Sequence, residues 1–415
     1  MTGFLRRMAC AVLLVLGCTG APTAAEARDE RLLAAAGAEQ AAVLATMERL
    51  VGIETGTGDV QGLAAMADFL EAELRALGAV VTRHPAAAGV AGDNLIARLT
   101  GRGQRRVLLM AHMDTVYPRG TLARAPFRID GNRAFGPGIA DAKGGIALIL
   151  HALRLLKVRG FDDYASLTVL LNTDEERGSL GSRDLIVATA REHDAVLSFE
   201  PTLALREILI QATSGSATAR VSVRGRAAHA GANPEQGVNA MVEAADFLLR
   251  NLDLDDRARA FRFNWTVGTG GRVANVIPDA VTLEANIRYL DPALLDAAFR
   301  TLAERAARPR LPGATIEVER VMGRPSFVAD AAGRALIDKA RAIYREIGAD
   351  LAVVPVTGGG TDAAYAAQSG RPVLEALGMP GFGYHSDQAE YVLIDAIPRR
   401  LYLAVRMISD VAAGR

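Results

Sequence analysis

The sequence predicts an α/β fold with a mixed, largely parallel sheet, interrupted by an inserted α+β unit. Three observations carry this. Short apolar strands alternate with amphipathic helices from residue 31 to about 200, and again after residue 325. Between those stretches the order becomes strand–helix–strand–strand–helix–strand, the split βαβ or ferredoxin-like pattern. Acidic and imidazole residues stand where apolar strands end, which is where α/β sheets place their ligands.

In chain order, Arg31–Leu50 and Gly62–Leu77 carry Ala, Leu and Glu at helical spacing and predict amphipathic helices. Val80–Thr82, Asn94–Ala97 and Arg106–Met110 predict strands. Lys143–Leu156 predicts a helix whose Gly144 and Gly145 let the first turn pack closely. Leu167–Leu171 is a buried strand that runs into Asn172–Glu176, a helix follows from about Ser182 to Arg191, and the strand Ala195–Phe199 ends at Glu200-Pro201. In the middle block Ala217–Arg224, Phe261–Val267, Ala280–Tyr289 and Ala314–Val321 predict strands, with helices at Val238–Leu249 and Pro292–Ala306. After Gly323-Arg324-Pro325 come a helix (Ala331–Ile347), a strand near Val353 and the turn Thr357–Asp362 opening a helix. A strand near Val373 and a helix from Ala396 to Ala412 follow. The predicted divisions are 1–27, 28–213, 214–325 and 326–415, the second and fourth together forming one α/β domain.

Residues 1–27 predict a targeting segment. Arg6 and Arg7 precede the apolar run Met8–Leu16, and Ala25-Glu26-Ala27 is an A-x-A cleavage pattern that puts the mature start near Arg28. The run is too short to span a bilayer, so no transmembrane helix is expected. Lipidation at Cys18, after Val15-Leu16-Gly17, is the alternative; Leu16 is a less usual residue there, and simple cleavage ranks first. The chain's two cysteines, Cys10 and Cys18, both lie in this segment, so the mature chain has no disulfide and no thiolate ligand unless Cys18 is retained. Export without disulfides fits a periplasmic or secreted protein. Any metal is then held by His, Asp and Glu, which suits zinc, manganese or cobalt. Lys plus Arg and Asp plus Glu number 47 each, so there is no basic excess to support nucleic-acid binding.

Four strand ends carry the candidate chemistry: His112 with Asp114, Asp141 in the loop Gly136–Gly145, Glu175-Glu176, and Glu200. A fifth candidate, His385, lies in the glycine-rich stretch Gly381–Asp387. Singly, each reads most simply as a solvated or capping residue. Together they meet a metal centre's needs: a zinc ion takes about four N or O ligands at ~2 Å, and two zincs ~3.5–4 Å apart are served when one carboxylate bridges. Asp114, two residues from His112, can take the proton on the non-ligating ring nitrogen. The pair Glu175-Glu176 divides into one ligand and one carboxylate free for general-base work.

Several runs share a likeness: His112-Met113-Asp114-Thr115-Val116, Gly136–Gly145, Thr173–Ser179, Leu197–Pro201, Phe263–Thr266, Thr357–Tyr365 and Gly381–Glu390. They resemble the dizinc metallopeptidases, the family of acetylornithine deacetylase, succinyl-diaminopimelate desuccinylase and aminoacylase, and within it the glutamate carboxypeptidases. The likeness covers nearly the whole mature chain, with separate motifs in the right order. It implies a zinc-exopeptidase-like catalytic domain with two Zn2+ per protomer, Co2+ or Mn2+ being substitutes. Asp141 is implied as the bridging ligand, with His112 and Glu200 completing one site and Glu176 and His385 the other. Glu175 is implied as general base and later proton donor, Asp114 as the group behind His112, and Asp141–Ala142 as a cis peptide. The insert is implied to be a lid that mediates homodimerisation. From it His229 and Asn275 reach the partner's active site, His229 as an oxyanion donor. Arg324 is implied to clamp the substrate's carboxylate. Arg288 is a further candidate, and Thr357 and Gly360 present hydroxyl and backbone groups. Without the likeness, His229 and Asn275 read equally well as turn residues, and Arg288 reads better as a solvated surface arginine. His84, His151 and His193 match no motif, and His151, in an apolar helix, reads as structural.

The implied reaction is hydrolysis of an amide bond that releases a C-terminal amino acid, glutamate first, from small peptides, N-acyl-glutamates or folate-like compounds. One departure bears on it. Glutamate-type relatives tend to carry a lysine in the segment aligned with Leu205–Ile208, where this chain has Arg206 and Ile208. The alternative among hydrolases is an N-acyl-amino-acid deacylase or dipeptidase of broader specificity. Outside them it is a non-catalytic, metal-stabilised binding protein, against which the intact Glu175 argues.

Overall fold

The computed structural model of the protein describes residues 28–87 and 89–415. The expected targeting segment, with Arg6, Arg7, Cys10, Cys18 and Ala25–Ala27, lies outside the described residues. Asp29 caps α1 (Glu30–Ala38) by accepting from Leu32 N, and α2 (Gln40–Val51) follows. Periodicity predicts one helix here; the structure divides it at Glu39, just after Gly37, a residue type that weakens helices. The Glu39 carboxylate meets His151 Nδ1 at 2.7 Å, and His151 Nε2 meets the Thr46 hydroxyl at 2.9 Å, so this buried histidine is structural as expected. Asp59 caps α3 (Val60–Ala76).

One sheet contains β1 (Val80–Pro85), β2 (Asp93–Thr100), β3 (Arg106–His112), β4 (Ser166–Asn172) and β5 (Ala195–Ser198). Helix α4 (Gly145–Val158) connects β3 to β4, and α5 (Arg183–Arg191) connects β4 to β5. β3 pairs in parallel with β4 and β5, whereas β2 is antiparallel to both β4 and β1. Every residue of β4 and β5 is buried, as is β3 after Arg106, the pattern of parallel strands covered on both faces. The register sets His112 opposite Asn172 and Met110 opposite Ser198. The three strands therefore end nearly level, and the residues that follow them meet.

In the middle block come β6 (Gly215–Arg224), α6 (Ala240–Arg250), β7 (Arg262–Gly270), β8 (Ala280–Tyr289), α7 (Pro292–Ala306) and β9 (Thr315–Met322). The strands form an antiparallel sheet of order β7-β8-β6-β9, which is the ferredoxin-like order. β6 and β8 bury alternate residues, as one covered face requires. Val221, Val223, Leu283 and Ile287 pack with Phe247 of α6 and Leu295 and Leu302 of α7 in a core of their own. The block's two ends lie side by side, because Ala212-Thr213 pairs antiparallel with Phe327-Val328. The chain then returns to the main core through α8 (Ala331–Glu346), β10 (Val373–Leu374), which extends the main sheet beside β5, and the almost wholly buried α9 (Ile397–Ala412).

One sheet was not expected. Arg128–Asp130, Arg133–Phe135, Tyr391–Leu393, Pro380–Phe382 and Thr202-Leu203 join in strands of two or three residues, too short to show periodicity. This sheet brings the stretch before Asp141 against the two strands that flank His385.

Candidate metal centre and active-site cleft

His112 is the last residue of β3, and its Nε2 lies 2.9 Å from Asp141 Oδ1 and 3.7 Å from Glu200 Oε2. His385 Nε2 lies 3.2 Å from Asp141 Oδ2 and 2.9 Å from Glu176 Oε2. Ligand-type atoms of His112, Asp141 and Glu200, and separately of Asp141, Glu176 and His385, fall within 4.8 Å of one another. Asp141 belongs to both groups and turns a different oxygen to each. Two imidazoles and three carboxylates, one of them shared, form a donor set that fits two closely spaced hard or borderline dications.

His112 Nδ1 lies 3.0 Å from the Asp114 carbonyl and 3.4 Å from the Asp114 carboxylate. With an ion bound, a proton kept on Nδ1 toward Asp114 would leave the Nε2 lone pair free to face the cluster. The Asp114 carboxylate does more than the sequence suggested. It accepts from the backbone N–H of Glu175 at 3.0 Å and of Glu176 at 3.2 Å, and from the Thr57 hydroxyl at 2.7 Å. One buried side chain therefore orients the candidate ligand histidine and fixes the turn that carries both glutamates.

The Asp141 loop is held from the far end of the chain. Glu390 accepts from the N–H groups of Gly138 at 2.8 Å, Ala140 at 2.7 Å and Asp141 at 3.0 Å. The Asp141–Ala142 peptide is cis, as the family likeness implies. Lys143, fully buried beside it, donates to the Ile53 carbonyl at 2.9 Å, and burial lowers its pKa to about 8. Glycine is required at the start of α4: a Cβ on Gly145 would stand 2.0 Å from the Phe199 carbonyl oxygen. That contact seats the helix against the end of β5, one residue before Glu200.

The electrostatics are those of crowded ionisable groups. Burial works against charge on His112, but Glu200, Asp114 and Asp141 outweigh it and hold the imidazole well above its ordinary value. Hydrogen bonding to Asp141 and then to Glu176 raises His385 to about 10. Burial opposes the Asp141 charge too, but His112 and His385 prevail and depress its pKa. Burial pushes Glu176 and Glu200 up, and Glu175 well up despite the Arg324 guanidinium beside it. Burial and the Asp141 charge take Glu390 up to about 7. Mutual perturbation of this kind, together with the shared Asp141, fits a functional cluster.

A cleft of about 300 Å³ opens onto the cluster, lined by Asp141, Glu175, Glu200, Thr357, Gly360, Tyr384 and His385, with Pro201, Ile210, Gly359, Thr361 and Glu375 completing the wall. A larger hollow, about 490 Å³, lies on β1, β2 and α5 and holds no such cluster. Thr357 and Gly360 thus stand where a substrate would meet them. Arg324 is placed otherwise than expected. Its guanidinium is buried and already bonded to Glu175, Asp362 and Ser179, so it does not face the cleft as a free carboxylate clamp. Arg288 is half-buried on β8 opposite Ser216 and Arg262, away from the cleft wall.

His229 and Asn275 are exposed and neighbour each other, with Ala230 N donating to the Asn275 carbonyl at 2.9 Å. His229 Nδ1 accepts from the Gly231 and Ala232 N–H groups at 3.2 and 3.0 Å, which places the neutral ring's proton on Nε2. Neither residue lines the cleft. Ile208 is buried in a short strand, and Arg206 is exposed beside Asp350. Among the described residues lining the cleft there is no Lys or Arg. The residues that sequence reasoning missed are Glu390, Asp362, Thr57, Glu375 and Tyr384; none carries a local spacing signal.

Residues 108–410 match the model of peptidase family M20/M25/M40. The chain belongs to this peptidase family. It is 55% identical over 411 residues to carboxypeptidase G2 of Pseudomonas sp. (strain RS-16), covering 99% of each chain. A tripeptidase from Staphylococcus aureus has a similar structure, with TM-score 0.77 at 21% identity, over 91% of this chain and 99% of that one. An M20-family metallo-carboxypeptidase from Sulfolobus solfataricus superposes with TM-score 0.71 at 14% identity, over 88% and 98%. Among family members the fold is thus shared far more widely than the sequence.

Proposed function

We propose that the protein is a zinc-dependent carboxypeptidase that hydrolyses the amide bond before a C-terminal amino acid, glutamate first, in peptides, N-acyl-glutamates or folate-like compounds. The observation that carries this is Asp141 shared between two ligand clusters, with Glu175 beside them in one cleft. The identity to carboxypeptidase G2 supports the choice of bond and released residue. His112, Asp141 and Glu200 would hold one zinc, and Asp141, Glu176 and His385 the other. Bound there, the pair of dications lowers the pKa of water and polarises the scissile carbonyl. Glu175 takes the proton from water and later returns it to the leaving nitrogen. Asp114 fixes His112 and the Glu175-Glu176 turn. Thr357 and Gly360 contact the substrate.

The division into residues 28–213 with 326–415, and an inserted 214–325, is part of the same proposal. So is a homodimer formed through the insert, in which His229 and Asn275 reach the partner's cleft and His229 donates from Nε2 to the oxyanion. Exposed Met241, Val242, Leu249, Val267 and Val273 on the insert support an interface there. Export with cleavage near Arg28 follows from residues 1–27. Among the described residues no helix is long and apolar enough to cross a membrane. A broader N-acyl-amino-acid hydrolase is favoured by one observation, the absence of Lys or Arg among the described residues of the cleft wall. Rates on benzoyl-glutamate, pteroyl-glutamate and acyl-leucine, with zinc-loaded and chelated protein, separate the two readings. Equal rates on all three would remove the glutamate preference, and no zinc-dependent hydrolysis of any would remove the enzyme.

A further inference from the structure

We propose that Arg324 is a positioning residue for Glu175, joining the catalytic carboxylate to the junction where the insert leaves and rejoins the rest of the chain. The inference rests on the function proposed above. Arg324 Nη2 lies 2.8 Å from Glu175 Oε1 and also donates to the Glu175 backbone carbonyl. Nη1 lies 2.6 Å from Asp362 Oδ1 and 3.2 Å from the Ser179 hydroxyl. Both arms of the planar fork are therefore committed to protein acceptors in a fixed geometry. The side chain is 10% exposed and that of Glu175 is 9% exposed.

The anchor does not depend on Glu175. Asp362 is itself held by Asn172 Nδ2 at 2.6 Å and by the Ser179 hydroxyl. Gly360 covers the arginine stem: a Cβ there would come within 2.9 Å of Arg324 Cδ. With one carboxylate oxygen of Glu175 held, the other is the oxygen presented to the cleft for proton transfer.

The backbone of Arg324 faces the insert. Its N–H donates to the Ser216 hydroxyl at 3.1 Å, and its carbonyl accepts from Ser216 N at 2.9 Å. Ser216 belongs to β6, the first strand of the insert. A rotation of the insert about this junction is transmitted through one residue to the orientation of Glu175. The arrangement gives Arg324 a part in turnover and leaves recognition of the substrate's carboxylate to other groups.

The test uses the full chain loaded with zinc, with Arg324→Lys, Arg324→Gln and Asp362→Asn. Thermal melting and zinc stoichiometry establish that each is folded, and the lysine variant keeps the buried charge where the glutamine variant does not fold. Steady-state kinetics on an acyl-glutamate give kcat and KM, and calorimetry gives the Kd of free glutamate. Misplacing the base predicts a fall in kcat of about 10²-fold, with KM and the glutamate Kd unchanged. Asp362→Asn, which loosens the anchor without touching either carboxylate partner of the reaction, shows the same signature. A weakened glutamate Kd or a raised KM in any folded variant, with or without a change in kcat, overturns the proposal in favour of a substrate clamp. Wild-type turnover is read first: its absence refutes the proposed function, and the role of Glu175 with it.

Discussion

Replacing Glu390 with alanine removes one carboxylate and leaves three N–H groups, those of Gly138, Ala140 and Asp141, without their acceptor. Glu390 is 4% exposed, so solvent does not readily take its place. A buried donor left unpaired costs about 1–3 kcal/mol, and three of them, after partial relaxation of the loop, come to about 3–6 kcal/mol. Against a total stability of about 5–15 kcal/mol this is a large fraction. Glu390→Gln is the graded version. Its amide oxygen can still serve Ala140 and Asp141, as Oε1 does now, but its NH2 meets the Gly138 N–H donor to donor, for a loss of about 1–3 kcal/mol. Urea unfolding of chelated protein, followed by circular dichroism, measures both without a contribution from metal binding. A zinc titration against a chromogenic chelator then reads the site, where affinity falls about 10–100-fold because Asp141 serves both clusters. Stability of the alanine variant within about 0.5 kcal/mol of wild type would refute the reasoning.

Other outcomes follow from the same geometry. Glu175→Gln keeps its zinc but loses turnover by about 10²–10⁴-fold; unchanged hydrolysis would show that the base is elsewhere. Gly145→Ala drives a Cβ into the Phe199 carbonyl and destabilises by about 1–3 kcal/mol or more, read from the urea midpoint; a neutral result would mean that α4 can shift freely. His193 donates from Nδ1 to the Thr189 carbonyl at 2.7 Å and accepts at Nε2 from the Thr168 hydroxyl at 2.8 Å, and burial lowers its pKa. The folded state thus binds its proton less readily than the unfolded one. The stabilisation is complete above the unfolded value of about 6.5 and is lost as pH falls through the lower folded value. Between about pH 7.5 and about pH 5.5 the wild type should therefore lose more stability than His193→Gln; parallel losses would exclude the assignment.

The part of the site that stands directly after parallel strands was legible. β3, β4 and β5 read as apolar runs because both faces are covered, and His112, Glu175, Glu176 and Glu200 come within a few residues of their ends. The ferredoxin-like order of the insert was legible for a complementary reason: strands covered on one face alternate. What stayed hidden was held by long-range polar contacts. Glu390 lies at the edge of a strand of three residues, and nothing local to it points to residues 138–141. The Arg324–Asp362 ion pair stayed hidden because Gly323 and Pro325 beside the arginine mark only a turn, and the sequence presents Asp362 merely as the start of a short helix. The division of α1 from α2 was missed because Glu39 continues the helical spacing while its carboxylate is committed to His151.

The distribution of the cluster along the chain bears on how the protein is made. His112, Asp141 and Glu200 all precede the insert, whereas His385 follows it, and the Glu390 contact that steadies the Asp141 loop spans 250 residues to Ala140. Four of the five donors, Glu176 included, are thus available to a chain still emerging, and the fifth, His385, only to one nearly finished. Contacts of such sequence separation form late, after the loop-closure cost between them has been met. A second bound ion would then report that synthesis, folding of the insert and docking of the C-terminal stretch are all complete, and until that point the peptidase carries no assembled means of cutting its own nascent neighbours.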